Sequence, residues 1–337
     1  MSTADLMRSL PDPILVVGGY GYRNVGDEAI LAGLLAAIGS GRALTVVSRA
    51  PAETTATDGV RSIPIWRALP ELLRHRSVVI GGGGILGGDM GALGRLIPYF
   101  GLAASVLGRP IALVGVDIER SSSGLRTDAL RRLVRRAAVV AVRDTQSAEL
   151  VGAFGAAATV VEDLSADVPS SARSVGEALL RDAGLDPSRP IVGLCLTAVN
   201  PRLSHALEEA VAGLLDRMPE VQFCFIPMSQ HPFIASHNDL VLGRNLRARA
   251  SRLVIIEGVH DPSAMLAVFE CLAAAICMRY HSLLFAERAG IPVLPIPYAP
   301  KCDRWLARRG LAAIPPTADA LRQAVASALG ERLAWTA

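Results

Sequence analysis

ILVVGGYGYRNVGDEAIL, residues 14–31, decides the fold. It opens on four apolar residues with no alternation, the pattern of a strand buried on both faces. The run then meets Gly18, Gly19 and Gly21, and a helix-length apolar segment begins near Asp27. Strand, glycine turn and helix together make the first half of a βαβ unit. The same rhythm recurs. Strand-like runs stand at ALTVVS (43–48), SVVIGG (77–82), IALVGVD (111–117), VVAVR (139–143) and TVVED (159–163). Between them lie helix-length segments such as EAILAGLLAAI and LRTDALRRLVRRA. Such alternation predicts a parallel sheet covered on both faces.

The stretch 165–189 changes character: VPSSARS is small and polar, and LDPSRP is a turn cluster. A domain junction is placed there, with a first domain over 1–170 and a second over 186–337. The alternation then restarts with IVGLCLT (191–197), QFCFIPM (222–228), LVIIEG (253–258), AAAICM (273–278) and PVLPI (292–296). Asp261-Pro262 is an N-cap and N1 pair for the helix through Cys271. Gly290 ends the helix begun near His281. A last helix fits 317–333 and is expected to pack back on the first domain. The fold expected is α/β, with two doubly wound domains facing a cleft and ligands beyond the carboxyl ends of the strands.

Composition narrows the classes. The chain has 337 residues, 51% of them hydrophobic, and a net charge of +3. Two cores can be filled, disorder is excluded over most of the length, and a general nucleic-acid binder is disfavoured. The N-terminus MSTADLMRSLPDP carries an acidic residue and no apolar signal-peptide core, so a cytoplasmic location is expected. The longest apolar run, Leu96 to Gly108, contains Pro98 and falls short of the roughly 20 residues that a membrane span needs. The cysteines at 195, 224, 271, 277 and 302 form no CxxC pair. They read as buried reduced thiols, with no metal site.

Several loops carry candidate chemistry. Glycines in 18–31 let backbone approach a ligand at a helix start, although the sixth position counted from Gly19 is Asn24, which breaks the dinucleotide fingerprint. The glycine stretch IGGGGILGGD (80–89) matches G-x-G-x-x-G at Gly82, Gly84 and Gly87, but Asp117 stands too far on to be the partner acid. A loop presenting amides to an anion or a sugar fits better; Gly82, Gly83 and Gly84 are its candidates. Arg143 ends a strand and is a candidate anion ligand. The densest constellation is MRYHSLLFAERAGIPVLPIPYAPKCDRW (278–305). Arg279 and His281 follow one strand and Lys301 follows the next, so adjacent parallel strands would bring all three to one edge. Lys301 is the sole lysine, against 33 arginines. Arginine grips a carboxylate or phosphate as a fork, lysine acts as a point charge, and histidine moves protons near neutrality. That set suits a small, doubly charged substrate. His231, Tyr280 and Ser282 are weaker candidates, His237 weaker still, and His75, His205 and His260 read as surface or turn residues. Arg131, Arg132, Arg135 and Arg136 form a basic helix face, either merely solvated or leaning on anionic lipid headgroups.

NVGDEAIL after a Gly-Tyr-Gly turn, the glycine loop, VRDTQS and RYHSLLFAERAGIPVLPIPYAPK resemble, in order and over nearly the whole chain, the polysaccharide pyruvyl transferases. The resemblance implies a glycosyltransferase-B-like pair of Rossmann-like domains. It also implies transfer of pyruvate from phosphoenolpyruvate to a sugar as a ketal, with phosphoenolpyruvate as co-substrate and neither a cofactor nor a metal. It gives His281 the acid/base role and gives Arg143, Arg279 and Lys301 the donor's carboxylate and phosphate. Gly21, Asn24, Gly26, Asp27 and Glu28 fall on its N-terminal signature, toward the acceptor. The second domain is then the phosphoenolpyruvate side and the first the acceptor side. One departure stands out: the family's GGGSLLQD reads GGGGILGGD here, with Gly84 in place of the serine and Asp89 displaced by one. The expected partners are phosphoenolpyruvate and a sugar, glycan or lipid-linked saccharide; a homo-oligomer is compatible with the sequence. The rival readings are a nucleotide-sugar glycosyltransferase of the same fold, a nicotinamide-dependent dehydrogenase using Gly82–Gly87, and a non-catalytic sugar-binding protein.

Overall fold

The structure is a computed structural model and describes residues 3–86, 92–198, 201–258 and 261–335. Two compact units are present: Met1–Tyr22 with Asp27–Val168, and Arg23–Gly26 with Pro169–Ala337.

The first unit holds a seven-stranded sheet. Its strands are β1 (Ile14–Val17), β2 (Leu44–Ser48), β3 (Arg61–Pro64), β4 (Ser77–Leu86), β5 (Ile111–Ile118), β6 (Val139–Val142) and β7 (Thr159–Val160). They are all parallel, in the order β3-β2-β1-β4-β5-β6-β7. The five inner strands, β2, β1, β4, β5 and β6, display their two faces to two cores. Leu15, Val17, Val78, Ile80, Ile111 and Leu113 face one core, packed with Leu72, Ile97, Leu130 and Leu133. Ile14, Val16, Val79, Ala112 and Val114 face the other, packed with Ile30, Leu31, Leu34 and Leu164. Burial on both faces is why these strands read as unbroken apolar runs.

The second unit holds five parallel strands: β8 (Ile191–Cys195), β9 (Gln222–Phe225), β10 (Val254–Ile255), β11 (Ala274–Cys277) and β12 (Val293–Pro295), in the order β10-β9-β8-β11-β12. In both sheets the order reverses at one gap, β1/β4 in the first and β8/β11 in the second. Such gaps are where ligands bind in doubly wound sheets.

Three differences from the sequence expectation have physical causes. β3, with Arg61 exposed and Pro64 at its end, is a short edge strand without an apolar run. Gly82, Gly83 and Gly84 lie inside β4 rather than in a loop after it; Gly82 and Gly83 have φ of +80° and +77°, and the β4–β5 register shifts next to them. Residues 173–182, inside the expected linker, form the helix Arg173–Asp182, which buries Gly176 and Leu180. In the last helix, Ala318–Trp335, residues Leu321, Val325 and Ala328 join the second unit's own core.

Candidate functional site

The second unit's candidate site grows from β11 and β12. β11 ends at Cys277, and Arg279 is the N-cap residue of the helix Tyr280–Arg288. Its guanidinium is clamped: Nε donates to Asp239 Oδ2 at 2.7 Å, and Nη2 donates to Asp239 Oδ1 at 2.7 Å and to Thr197 Oγ1 at 3.0 Å. Asp239 is buried, and burial pushes its carboxyl above the usual range while Arg279 pulls it down. Asp239 also accepts from the Ser229 amide at 2.9 Å. Arg279 therefore offers its donors as one half of a buried ion pair, with its charge already balanced.

His281, buried at the second position of that helix, lies against Gly26. A Cβ on Gly26 would meet the ring at 2.0 Å from Nδ1, 2.3 Å from Cγ and 2.7 Å from Cε1. The signature glycine is thus the wall of the histidine's seat. Gly26 is brought there by strand-like pairing. Val25 N–H donates to Met228 O at 2.9 Å, Gln230 N–H donates to Arg23 O at 2.8 Å, and Asn24 forms an antiparallel bridge with Ser229. Asn24 Oδ1 accepts from Gly26 N–H at 3.1 Å and so starts the helix Val25–Ile38. Tyr280 packs edge-on to His281 with ring centroids 5.5 Å apart, and Lys301 Nζ stands 5.7 Å from the Tyr280 ring centroid. Lys301 is in the first turn of the helix Pro300–Arg309, just past β12. The structure thus gathers Gly26, Asn24, Arg279, Tyr280, His281 and Lys301 in the second unit. Ser282 acts locally, since its hydroxyl donates to Arg279 O at 2.6 Å and tightens the turn.

His231 and His237 stand together, with ring centroids 5.9 Å apart. His231 Nδ1 accepts from the amides of Phe233 and Ile234 at 3.2 and 3.0 Å, so this ring orders its own loop. Burial lowers the pKa of both rings; His237 lowers that of His231 further, and Arg279 does the same to His237. Among the other histidines, His205 is exposed as expected, but His75 is buried and its Nδ1 lies 2.8 Å from Glu71 O. His260, Gly87 and Asp89 lie outside the described residues.

In the first unit, the β1/β4 gap carries an acidic pair. Glu28 Oε1 accepts from the Gly21 amide at 2.9 Å. Burial first, and Asp27 beside it second, push the Glu28 carboxyl up to about 8. The Asp27 carboxylate passes close over two glycines: Cβ atoms at Gly83 and Gly19 would lie 3.4 and 3.8 Å from its oxygens. A Cβ on Gly84 would meet Asp117 Oδ2 at 3.5 Å, ordinary contact, so the family's serine would fit there. A carboxyl that holds its proton near neutrality, as Glu28 does, can both donate to and accept from hydroxyl groups.

Arg143, expected as a donor ligand, is held by two carboxylates of the first unit. It is buried; Nε donates to Asp117 Oδ1 at 2.8 Å, Nη2 to Asp117 Oδ2, and Nη1 to Asp163 Oδ2 at 2.5 Å. One cation between two carboxylates ties the ends of β5 and β6 to the segment after β7. Asp117, Asp163, Asp239 and Thr197 were missed as partners because nothing in the local sequence marks pairs 20 to 82 residues apart. No group of three or more His, Cys, Asp or Glu among the described residues is arranged to hold a metal ion.

Comparison with solved structures yields the same architecture. HepE of Anabaena, solved with UDP-glucose, superposes with a TM-score of 0.65 at 12% identity, over 95% of this chain and 90% of that one. The UDP-N-acetylglucosamine 2-epimerase of Methanocaldococcus jannaschii gives 0.65 at 12%, over 94% and 92%. The ADP-heptose lipopolysaccharide heptosyltransferase II of E. coli gives 0.55 at 12%, over 95% and 99%. At these identities the likeness establishes the fold alone, the glycosyltransferase-B type. No curated protein matches the sequence significantly. The family model for polysaccharide pyruvyl transferase, however, matches residues 24–300, from Asn24 of the signature through the strand β12. The chain belongs to the polysaccharide pyruvyl transferase family.

Proposed function

We propose that the protein transfers pyruvate from phosphoenolpyruvate to hydroxyls of a sugar or glycan, forming a pyruvate ketal and releasing phosphate. The observation that carries this reading is the meeting of Arg279, His281 and Lys301 at the carboxyl edge of β11 and β12, next to the order reversal of the second sheet. Arg279, balanced by Asp239, contributes directed donors to the carboxylate. Lys301 contributes the net positive charge that favours the departing phosphate. His281, with its ring set by Gly26, delivers a proton to the methylene carbon of phosphoenolpyruvate. The central carbon becomes electrophilic and a sugar hydroxyl adds there, returning its proton to His281. The carbon–oxygen bond to phosphate breaks, and a second hydroxyl closes the ketal, its proton leaving on the phosphate. Asp27 and Glu28 in the first unit serve the sugar hydroxyls. Phosphoenolpyruvate is a co-substrate in this scheme, no cofactor is required, and the cytoplasm is the compartment that supplies the donor. Arg143 is left out of the donor set because two carboxylates, Asp117 and Asp163, surround its single charge, whereas Arg279 is paired with one, Asp239.

A thermal-shift titration with phosphoenolpyruvate tests the reading on wild type and Lys301→Ala, followed by phosphate release with sugar acceptors. A rise in melting temperature that the variant loses is expected. No rise with phosphoenolpyruvate, but one with uridine or guanosine diphosphate, would replace it with glycosyl transfer from a nucleotide-sugar, the class of molecule bound in the Anabaena structure.

A further inference from the structure

The first unit's sheet has one helical layer whose outer surface is unlike the rest of the molecule. The segment after β3, the helix Ala92–Val106 and the helix Gly124–Arg136 connect β3 to β4, β4 to β5 and β5 to β6, always stepping the same way across the sheet. Right-handed crossovers in one direction fall on one face. Their inward residues agree, since Leu72, Ile97, Ala104, Leu130 and Leu133 share a single core. A Cβ on Gly101 would meet Leu133, so the two long helices pack directly on each other.

Outward, this layer holds most of the exposed large hydrophobics of the first unit among the described residues. Trp66, 73% exposed, leads Leu69 and Leu73 along one stripe. Leu96, Tyr99 and Val106 follow on the second helix, and Leu125, 81% exposed, on the third. A free surface gains nothing from a layer of exposed Trp and Leu. The same two long helices carry six arginines against the single acid Asp128. They are more positive than the entire chain at +3, so positive charge is concentrated here. Arg131 and Arg132 both reach Asp128, at 3.0 and 2.8 Å, while Arg135 and Arg136 stand exposed in the last turn.

Exposed Trp and Leu interleaved with arginines match the headgroup region of a bilayer, where apolar side chains enter the acyl boundary and cations meet anionic lipid. We infer that this face of the first unit docks on an anionic membrane surface. The docking is peripheral: no helix among the described residues is long and apolar enough to cross a membrane. The inference stands apart from pyruvyl transfer and uses none of its residues.

Sedimentation with vesicles of phosphatidylcholine alone, and of phosphatidylcholine mixed with phosphatidylglycerol, tests it on the full chain. Wild type is expected to sediment with the anionic vesicles, less so as salt rises. Arg135→Gln with Arg136→Gln should weaken partitioning roughly thirtyfold, the equivalent of about 2 kcal/mol for two arginines near the surface. A second readout needs no loss of affinity. Trp305 is buried, and with Trp335→Phe the exposed Trp66 becomes the reporter, expected to be quenched by brominated lipid in those vesicles. Absence of vesicle binding, or binding that ignores both the double variant and Trp66→Ser, overturns the inference. So does self-association in solution that Trp66→Ser abolishes, which would assign the face to a second copy of the chain.

Discussion

Adding one methyl group at Gly26 should damage the site through His281. In the structure the new carbon would lie 2.0 Å from Nδ1 and 2.3 Å from Cγ of the ring. Ordinary contact begins near 3.4 Å, so the ring must retreat by more than an ångström or the Arg23–Gly26 segment must leave its pairing with Met228–Gln230. Overpacking of this kind costs about 2 kcal/mol, or about 4–8 °C in Tm for a unit of this size. A displacement of about 1 Å at an acid/base group lowers turnover roughly a hundredfold. The assay is a double-mutant cycle read by thermal denaturation, with phosphate release as the second readout. On a His281→Ala background the obstacle is gone, so Gly26→Ala should cost nothing or stabilise slightly, alanine being the better helix former. An equal loss of stability in both backgrounds would refute the reasoning, because the contact would then lie with some other group.

Arg143→Lys should lower stability by about 3 kcal/mol, read by denaturant titration, since a point charge cannot reproduce the fork between Asp117 and Asp163. The phosphoenolpyruvate-induced thermal shift should remain, and its loss would return Arg143 to the donor set. Asp239→Asn leaves Arg279 partly buried with half a partner and should cost about 3–5 kcal/mol by the same titration. Glu28 binds its proton more tightly folded, with a pKa of about 8, than unfolded near 4.5. Its contribution is therefore fully present below about pH 4.5 and is lost as pH rises through about 8. In Glu28→Gln the fall in Tm across that window should flatten. Lys301→Arg should raise KM for phosphoenolpyruvate or lower turnover, because the guanidinium cannot take the compact position beside Tyr280. Full activity with unchanged affinity would make the sole lysine an accident of composition.

The strands were legible because burial on both faces leaves its mark in each residue: ILVV, IALVGV and AAIC hold no polar position to alternate. RSIP at the sheet edge lacked that mark, with an arginine at one end and a proline at the other. The neighbourhood of Arg279, His281 and Lys301 could be read because adjacent parallel strands deliver their ends to one edge. What each cation does could not. Arg143 and Arg279 look alike in sequence, each closing a strand. Only the chain's long-range return brings Asp117 and Asp163 to one and Asp239 to the other. His75 likewise looked like a turn residue amid arginines, and its burial follows from the turn of helix that carries Glu71.

The pairing of Arg23–Gly26 with Met228–Gln230 has a consequence for how the chain is made. Roughly two hundred residues separate the partners, and at about 5–20 residues per second the ribosome needs on the order of ten to forty seconds to bridge them. Throughout that interval the signature segment has been synthesised but its partner has not. A first unit released alone would carry an unmatched strip of backbone, and a second unit begun at Pro169 would lack the wall behind His281. The two halves should therefore refold poorly when expressed apart, and a peptide spanning residues 20–28, added in trans, should help the second half alone.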